Sequence, residues 1–178
     1  MIDRDFLSEL KRATESKWRN ADIDHHLSGF QFQRGTKWNS GLSAEAIAEY
    51  ENALQVRFPD DFRVFLAAMN GTDTSTLNVY GSSGEPHRQF VGVYSYRRDL
   101  ELVKHRIETV VHAREQITAE LAEQGFDLPK EAKLVPIYLH RFIVCESDLE
   151  RSVVLSIHGT DAIVYGTSLQ EYLKAEFL

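Results

Sequence analysis

Residues 156–173 read SIHGTDAIVYGTSLQEYL. A histidine, an aspartate, a tyrosine and a glutamate surround two glycines, so the stretch is either a cluster of catalytic groups or a strand, a turn, a strand and a helix. The pattern supports the second reading. Val153, Leu155 and Ile157 alternate with Ser152, Val154 and Ser156, as in a strand buried mainly on one face. His158-Gly159-Thr160-Asp161 is a turn, with Gly159 and Asp161 supplying its chemistry. Ile163, Val164 and Tyr165 resume a strand. Gly166 breaks it, and Ser168 caps a helix over about 168–176 that presents Leu169, Tyr172, Leu173 and Phe177. A His158–Asp161 pair without a nucleophile reads as a turn-stabilising arrangement.

Working back from this stretch, short strands are expected at 134–139, 141–146, 152–157 and 162–165, and their short connections make neighbours antiparallel. Before them a long helix is expected from about Asp99 to Gln124. Its buried stripe would be Leu100, Val103, Ile107, Val110, Val111, Ile117 and Leu121, and Gly125 would stop it. Leu77–Tyr80 reads as a short strand, 81–86 as the loop GSSGEP, and Phe90–Tyr96 as strand or extended loop.

Further upstream, Ser43 caps a helix over about 43–57 with Ile47, Tyr50 and Leu54 on one side, and Phe58-Pro59 ends it. Asp60 would cap the next helix, whose stripe is Phe62, Phe65, Leu66 and Met69, with Asn70-Gly71 as a left-handed C-cap. A first helix is expected at 3–18, with Phe6, Leu7, Leu10 and Ala13 on one side. Phe30 and Phe32 alternate with glutamines, as in a short strand or a clasp laid on the domain. Helices, then strands, then a helix make the fold class α+β: a mainly antiparallel sheet of about four to six strands packed against helices. Residues 1–36 are read as an N-terminal helical extension that cannot bury a core alone, and 37–178 as the domain.

Composition narrows the function classes. The chain has 178 residues, 43% apolar and 26% charged, as a globular chain does. It has no run approaching the roughly 20 apolar residues of a membrane span. Its start is charged throughout, without the apolar core of an export signal. The single cysteine, Cys145, excludes an internal disulfide, so a cytoplasmic location is expected. The net charge is −7, with +1 in residues 1–40 and −8 in the remainder. That lacks the basic footprint of a nucleic-acid binder and suits a basic protein partner. The expected partner is therefore a protein, not nucleic acid or membrane, with the chain itself a monomer or weak homodimer.

Several groups invite a chemical reading. Glu101, His105, Glu108 and His112 share one helical face, joined by Glu115, and histidine with carboxylate at that spacing can ligate a metal. That face lies opposite the apolar stripe, and no second Glu-x-x-His or His-Glu-x-x-His is present, so a solvated face is expected and no metal or cofactor. Gly81-Ser82-Ser83-Gly84-Glu85-Pro86 fails both the Gly-x-Ser-x-Gly frame and the P-loop. Cys145 beside His140 or His158 would be a thiol nucleophile, but a cysteine in Phe142-Ile143-Val144-Cys145 is expected in the core. The His25-His26 pair is expected in an exposed loop. No catalytic residue is assigned. Residues 87–98, HRQFVGVYSYRRD to Asp99, concentrate the side chains that dominate protein–protein hot spots. The candidate contact set is Tyr80, Glu85, His87, Arg88, Tyr94, Tyr96, Arg97 and Arg98. The alternative is that the tyrosines pack beneath the long helix while the arginines pair with acidic neighbours, and both readings stay open.

Two stretches together resemble one family. GLSAEAIAEYENALQVRFPDDFRVFLAAMNGTD at 41–73 has a glycine-leucine start, a helix with central Glu51, then Pro-Asp-Asp-Phe leading a helix that ends in Asn-Gly. VPIYLHRFIVCES and SVVLSIHGTDAIVYGTSLQEYL follow in the expected order. These are similar to the opening, paired strands and closing helix of the SUKH superfamily, which holds fungal cell-wall synthesis regulators and bacterial immunity proteins. The positions that carry the resemblance are Glu51, Pro59, Phe62, Asn70, Gly71, Gly159, Asp161 and Tyr165. The resemblance implies a non-enzymatic protein-binding module: an immunity protein that neutralises a toxin domain or, alternatively, a regulator or scaffold of envelope synthesis. An enzyme would need a site hidden in 80–98. Residues 74–133 depart from the family pattern, so partner specificity is expected there.

Overall fold

The computed structural model describes residues 2–81, 87–146 and 152–178. Its elements are α1 (Arg4–Arg19), β1 (Gly29–Phe32), β2 (Trp38–Ser40), α2 (Ala44–Leu54), α3 (Asp60–Ala68), β3 (Met69–Thr72), β4 (Thr76–Val79), β5 (Arg88–Phe90), α4 (Leu100–His112), α5 (Arg114–Glu123), β6 (Lys133–Tyr138), β7 (Arg141–Cys145), β8 (Val154–His158), β9 (Asp161–Gly166) and α6 (Leu169–Phe177). The class is α+β. All strand pairings are antiparallel: a four-stranded meander β6-β7-β8-β9, a three-stranded sheet β1-β4-β5 and the β2-β3 pair. Among the described residues no helix is long and apolar enough to cross a membrane.

The meander is covered on both faces. Leu134, Phe142, Val144, Leu155 and Ile157 pack with Val110, Ile117 and Leu121 of α4 and α5. Ile143, Cys145 and Val154 pack into the larger core with α1, α3 and α6. Hence β8 is not buried mainly on one face: Val154, Leu155 and Ile157 are all buried, because a second layer of helices meets the sheet from the other side. The larger core also takes Leu7, Leu10 and Trp18 of α1. Trp18 stacks on Phe32 with ring centroids 4.4 Å apart, and Trp38 Nε1 donates to the buried Thr14 hydroxyl (2.8 Å).

Local rules explain most boundaries. Asp3, Ser43 and Ser168 accept backbone N–H bonds and start α1, α2 and α6. Other boundaries differ from expectation. Pro59, not Asp60, occupies the N-cap of α3, and Asp60 and Asp61 lie in its first turn, where carboxylates favour the positive end of the helix dipole. Asn70-Gly71 is not a helix C-cap. The chain leaves α3 directly into β3: Met69 N–H donates to the Phe65 carbonyl and Leu42 N–H to the Leu66 carbonyl (2.8 Å), so the last turn of α3 is satisfied without a glycine cap. The long helix is two helices, divided at Ala113. There the Arg114 guanidinium turns inward to the carbonyls of Pro129 (2.7 Å) and Ala132 (2.9 Å), anchoring the new start. Just before this break Val111 does not join the buried stripe and is 63% exposed. Phe90–Tyr96 forms strand only to Phe90, followed by an isolated bridge from Val93 to Tyr138.

Candidate functional site

The segment between β5 and α4 ties all three sheets together. Tyr94 N–H donates to the Ile137 carbonyl (3.0 Å), and Thr72 N–H donates to the Val93 carbonyl (3.1 Å). Gly71 makes this crossing possible. It sits at φ +67°, and a Cβ there would lie 2.5–2.6 Å from the Tyr94 and Val93 backbone.

The turn that follows is held by side chains. Asn70 acts like a peptide unit: its Oδ1 accepts Tyr96 N–H (2.9 Å) and its Nδ2 donates to the Tyr96 carbonyl (2.5 Å). The Asp99 carboxylate accepts Ser95 N–H (2.8 Å) and both Nε (2.9 Å) and Nη2 (2.7 Å) of Arg98, whose Nη1 donates to the Thr72 carbonyl (2.8 Å). Between this turn and the β4–β5 hairpin opens a cleft of about 410 Å³, lined by Asp73, Ser75, Gln89, Phe90, Val91, Gly92, Arg98 and Asp99. Phe90 stands edge-on to Phe30 and stays 39% exposed.

The candidate contact residues divide. Arg88, Arg97 and Arg98 are exposed. Tyr80, His87 and Tyr96 are half-buried. Tyr94 is buried, with its hydroxyl donating to the Leu139 carbonyl (3.3 Å), and burial pushes that phenol up despite Arg106. Tyr96 stacks on Tyr50 (4.5 Å), and Arg97 lies over the Tyr96 ring (5.6 Å) and pairs with Glu49. His87 stacks on His25, with Nε2 and Nδ1 2.7 Å apart. Glu85 and the loop 82–86 lie outside the described residues. Reading residue types missed Phe90, Asp73 and Gln89, although the Phe90 ring was visible within HRQFVGVY. Exposure of one aromatic in a three-residue edge strand has no signature in the pattern.

The positions that carry the family resemblance hold backbone in place. Glu51 Oε1 accepts Phe58 N–H (2.7 Å), tying α2 to the α3 entry, and Phe62 is buried against Phe58. Gly159, at φ +66°, and Thr160 form the two-residue turn between β8 and β9, closed by the His158–Asp161 pair. Tyr165 lies beneath Arg141, whose guanidinium carbon is 3.8 Å from the ring centre.

The chemical candidates do not assemble. Among the described residues no three His, Cys, Asp or Glu side chains converge as metal ligands. On α4, Lys104 pairs with Glu101, and His112 Nδ1 meets the Glu108 carbonyl (2.7 Å). Glu115 lies past the break on α5. Cys145 is buried, which pushes its thiol up. It sits five residues along β7 from His140, about 17 Å at strand rise. His140 and His158 face each other edge-on, centroids 6.2 Å apart.

Burial first, then Arg141, His158 and Arg106, lower the His140 pKa from 6.5 to about 4. Between those values the unfolded chain binds the proton and the folded one does not, so stability falls as pH drops from about 6.5 to about 4. His140→Asn is expected to flatten the His140 share of that slope in urea titrations across the window. An unchanged slope would remove His140 as its source.

Comparison with curated proteins finds no match. The family described as SMI1 / KNR4 family (SUKH-1) matches residues 41–174, which span α2 to α6 with the cleft among them. By that match the chain belongs to the SMI1 / KNR4 family (SUKH-1).

Proposed function

We propose that this chain is an immunity protein that binds a toxin domain and blocks it by occupying its active-site cleft. Family membership supports a protein-binding immunity or regulatory module in general. The observation that carries the finer reading is the 410 Å³ cleft beside β5, an exposed aromatic, Phe90, over a floor fixed by the Arg98–Asp99 pair, with Arg88 and Arg97 exposed nearby. Aromatic and arginine anchors around a preformed recess are the make-up of interface hot spots. The net charge of −7 favours a basic toxin such as a nuclease, by steering its approach.

The test is co-expression with toxin genes adjacent to this chain's own gene. Rescue of growth and a co-purifying complex are expected, with affinity falling as salt rises. Phe90→Ala with Arg88→Glu is expected to weaken that complex at least tenfold at unchanged thermal stability. Neither rescue nor complex with any adjacent toxin would refute the proposal.

A further inference from the structure

β9 is an edge of the meander, and an edge strand offers unpaired backbone groups to any strand that meets it. Opposite β8, Asp161 pairs with His158 and Ile163 with Ser156. The backbone groups of Asp161 and Ile163 therefore point into the sheet, and those of Ala162 and Val164 point outward. Among the described residues one side chain meets that outward row. Gln124, just past α5, donates from Nε2 to the Ala162 carbonyl (2.7 Å) and accepts Val164 N–H at Oε1 (3.4 Å). Its amide stands where one peptide unit of a neighbouring strand would stand. Beside it Ile163 is 50% exposed and Tyr165 37% exposed, both on the sheet face away from α5.

We infer that the β9 edge pairs antiparallel with β9 of a second copy of this chain, and that Gln124 is the plug this pairing displaces. Self-complementarity singles out the second copy. A two-fold axis through Ile163 sets Ile163 against its counterpart, Ala162 against Val164 and Asp161 against Tyr165. Apolar then meets apolar, a carboxylate meets a phenol, and no like charges are opposed. Ile163 becomes a non-hydrogen-bonded pair, the closest kind, while Ala162 and Val164 exchange backbone bonds. The bulge at Tyr165, where β8 pairs Leu155 with Val164 but Val154 with Gly166, bends the edge and keeps the paired stretch short. The plug, the bulge and a charge of −7 on each copy make the dimer weak and strengthened by salt, whereas salt weakens a complex with a basic toxin. The inference is independent of the toxin reading.

Ile163→Cys tests it, because a non-hydrogen-bonded pair brings Cα atoms within disulfide reach and the native Cys145 is buried. In a glutathione redox buffer, Ile163→Cys is expected to form a disulfide dimer at least tenfold faster than Val111→Cys, an exposed control on α4. In sedimentation equilibrium Gln124→Ala is expected to lower the dimer Kd about 25-fold, because each of the two copies gives up a plug worth about one net hydrogen bond. Ile163→Lys, which opposes two cations at the axis, is expected to leave monomer. Both Gln124 and Ile163 are exposed, so the variants keep the fold. Cross-linking no faster than at Val111, or an unchanged monomer–dimer equilibrium in Gln124→Ala, overturns the inference.

Discussion

Gly71→Ala is expected to cost about 3–5 kcal/mol of folding stability, in the tail reserved for backbone conflicts and core damage. Two costs add. A non-glycine residue held near φ +67° loses roughly 1–2 kcal/mol. The new Cβ also meets the Tyr94 and Val93 backbone at 2.5–2.6 Å, and neither segment can retreat. Val93 is bonded to Thr72 and Tyr94 to Ile137, so relief would break the bridge between β3 and β6. Gly125→Ala is the control: φ is +79°, but nothing lies within 4 Å of the built Cβ, so only the conformational cost applies. Urea melts should separate the two variants by about 2–3 kcal/mol, and thermal midpoints by roughly 5–10 °C for a chain of this length. Equal losses would mean the crossing is looser than its distances indicate.

How much of this was readable beforehand follows from where each signal resides. The meander and the helix that follows it carried their own signals: Gly159 at the turn, Ser168 as the cap of α6, apolar runs bounded by short loops. The β2–β3 pair carried little, because Met69-Asn70-Gly71-Thr72 lacks apolar alternation and holds Asn and Gly, both depleted in strands, with Thr72 its one β-branched residue. It is a strand through its partner, not through propensity. The break at Ala113 was hidden for a related reason. Alanine is the best helix former, and the apolar spacing from Val110 to Ile117 runs through it in helical register. Within 87–98 residue type could not sort buried side chains from exposed ones. Tyr94 is fully occupied by the core and Arg97 is exposed to solvent, a division set by the bridge at Val93 far along the chain from Tyr138. The acidic residues of α4 and α5 were legible as a solvated face for the opposite reason, since their opposition to the apolar stripe is local.

Arg98→Ala separates the two readings of that segment. If Arg98 served only as a contact, its removal would leave stability within about 0.5 kcal/mol, as for any surface site. The structure gives it an inward role. Its guanidinium spends three donor groups on Asp99 and the Thr72 carbonyl, and Asp99 is 7% exposed. Truncation strands a buried carboxylate with Ser95 N–H as its remaining hydrogen bond here. A stranded buried charge costs about 3–5 kcal/mol, and the 45% exposure of the Arg98 side chain admits water that lowers this to about 2–4 kcal/mol. Arg98→Lys should recover little, since an ammonium cannot reproduce the two-pronged contact. Arg98→Ala with Asp99→Asn should recover about 1–2 kcal/mol, because the double change removes the stranded charge while the packing loss remains. Arg88→Ala, exposed on β5, should leave stability unchanged. Binding then distinguishes what stability cannot. If Arg98 acts by shaping the cleft floor, the double variant recovers part of the stability yet still binds the proposed toxin partner weakly. If stability alone was lost, affinity returns with it, and Arg98 leaves the contact set.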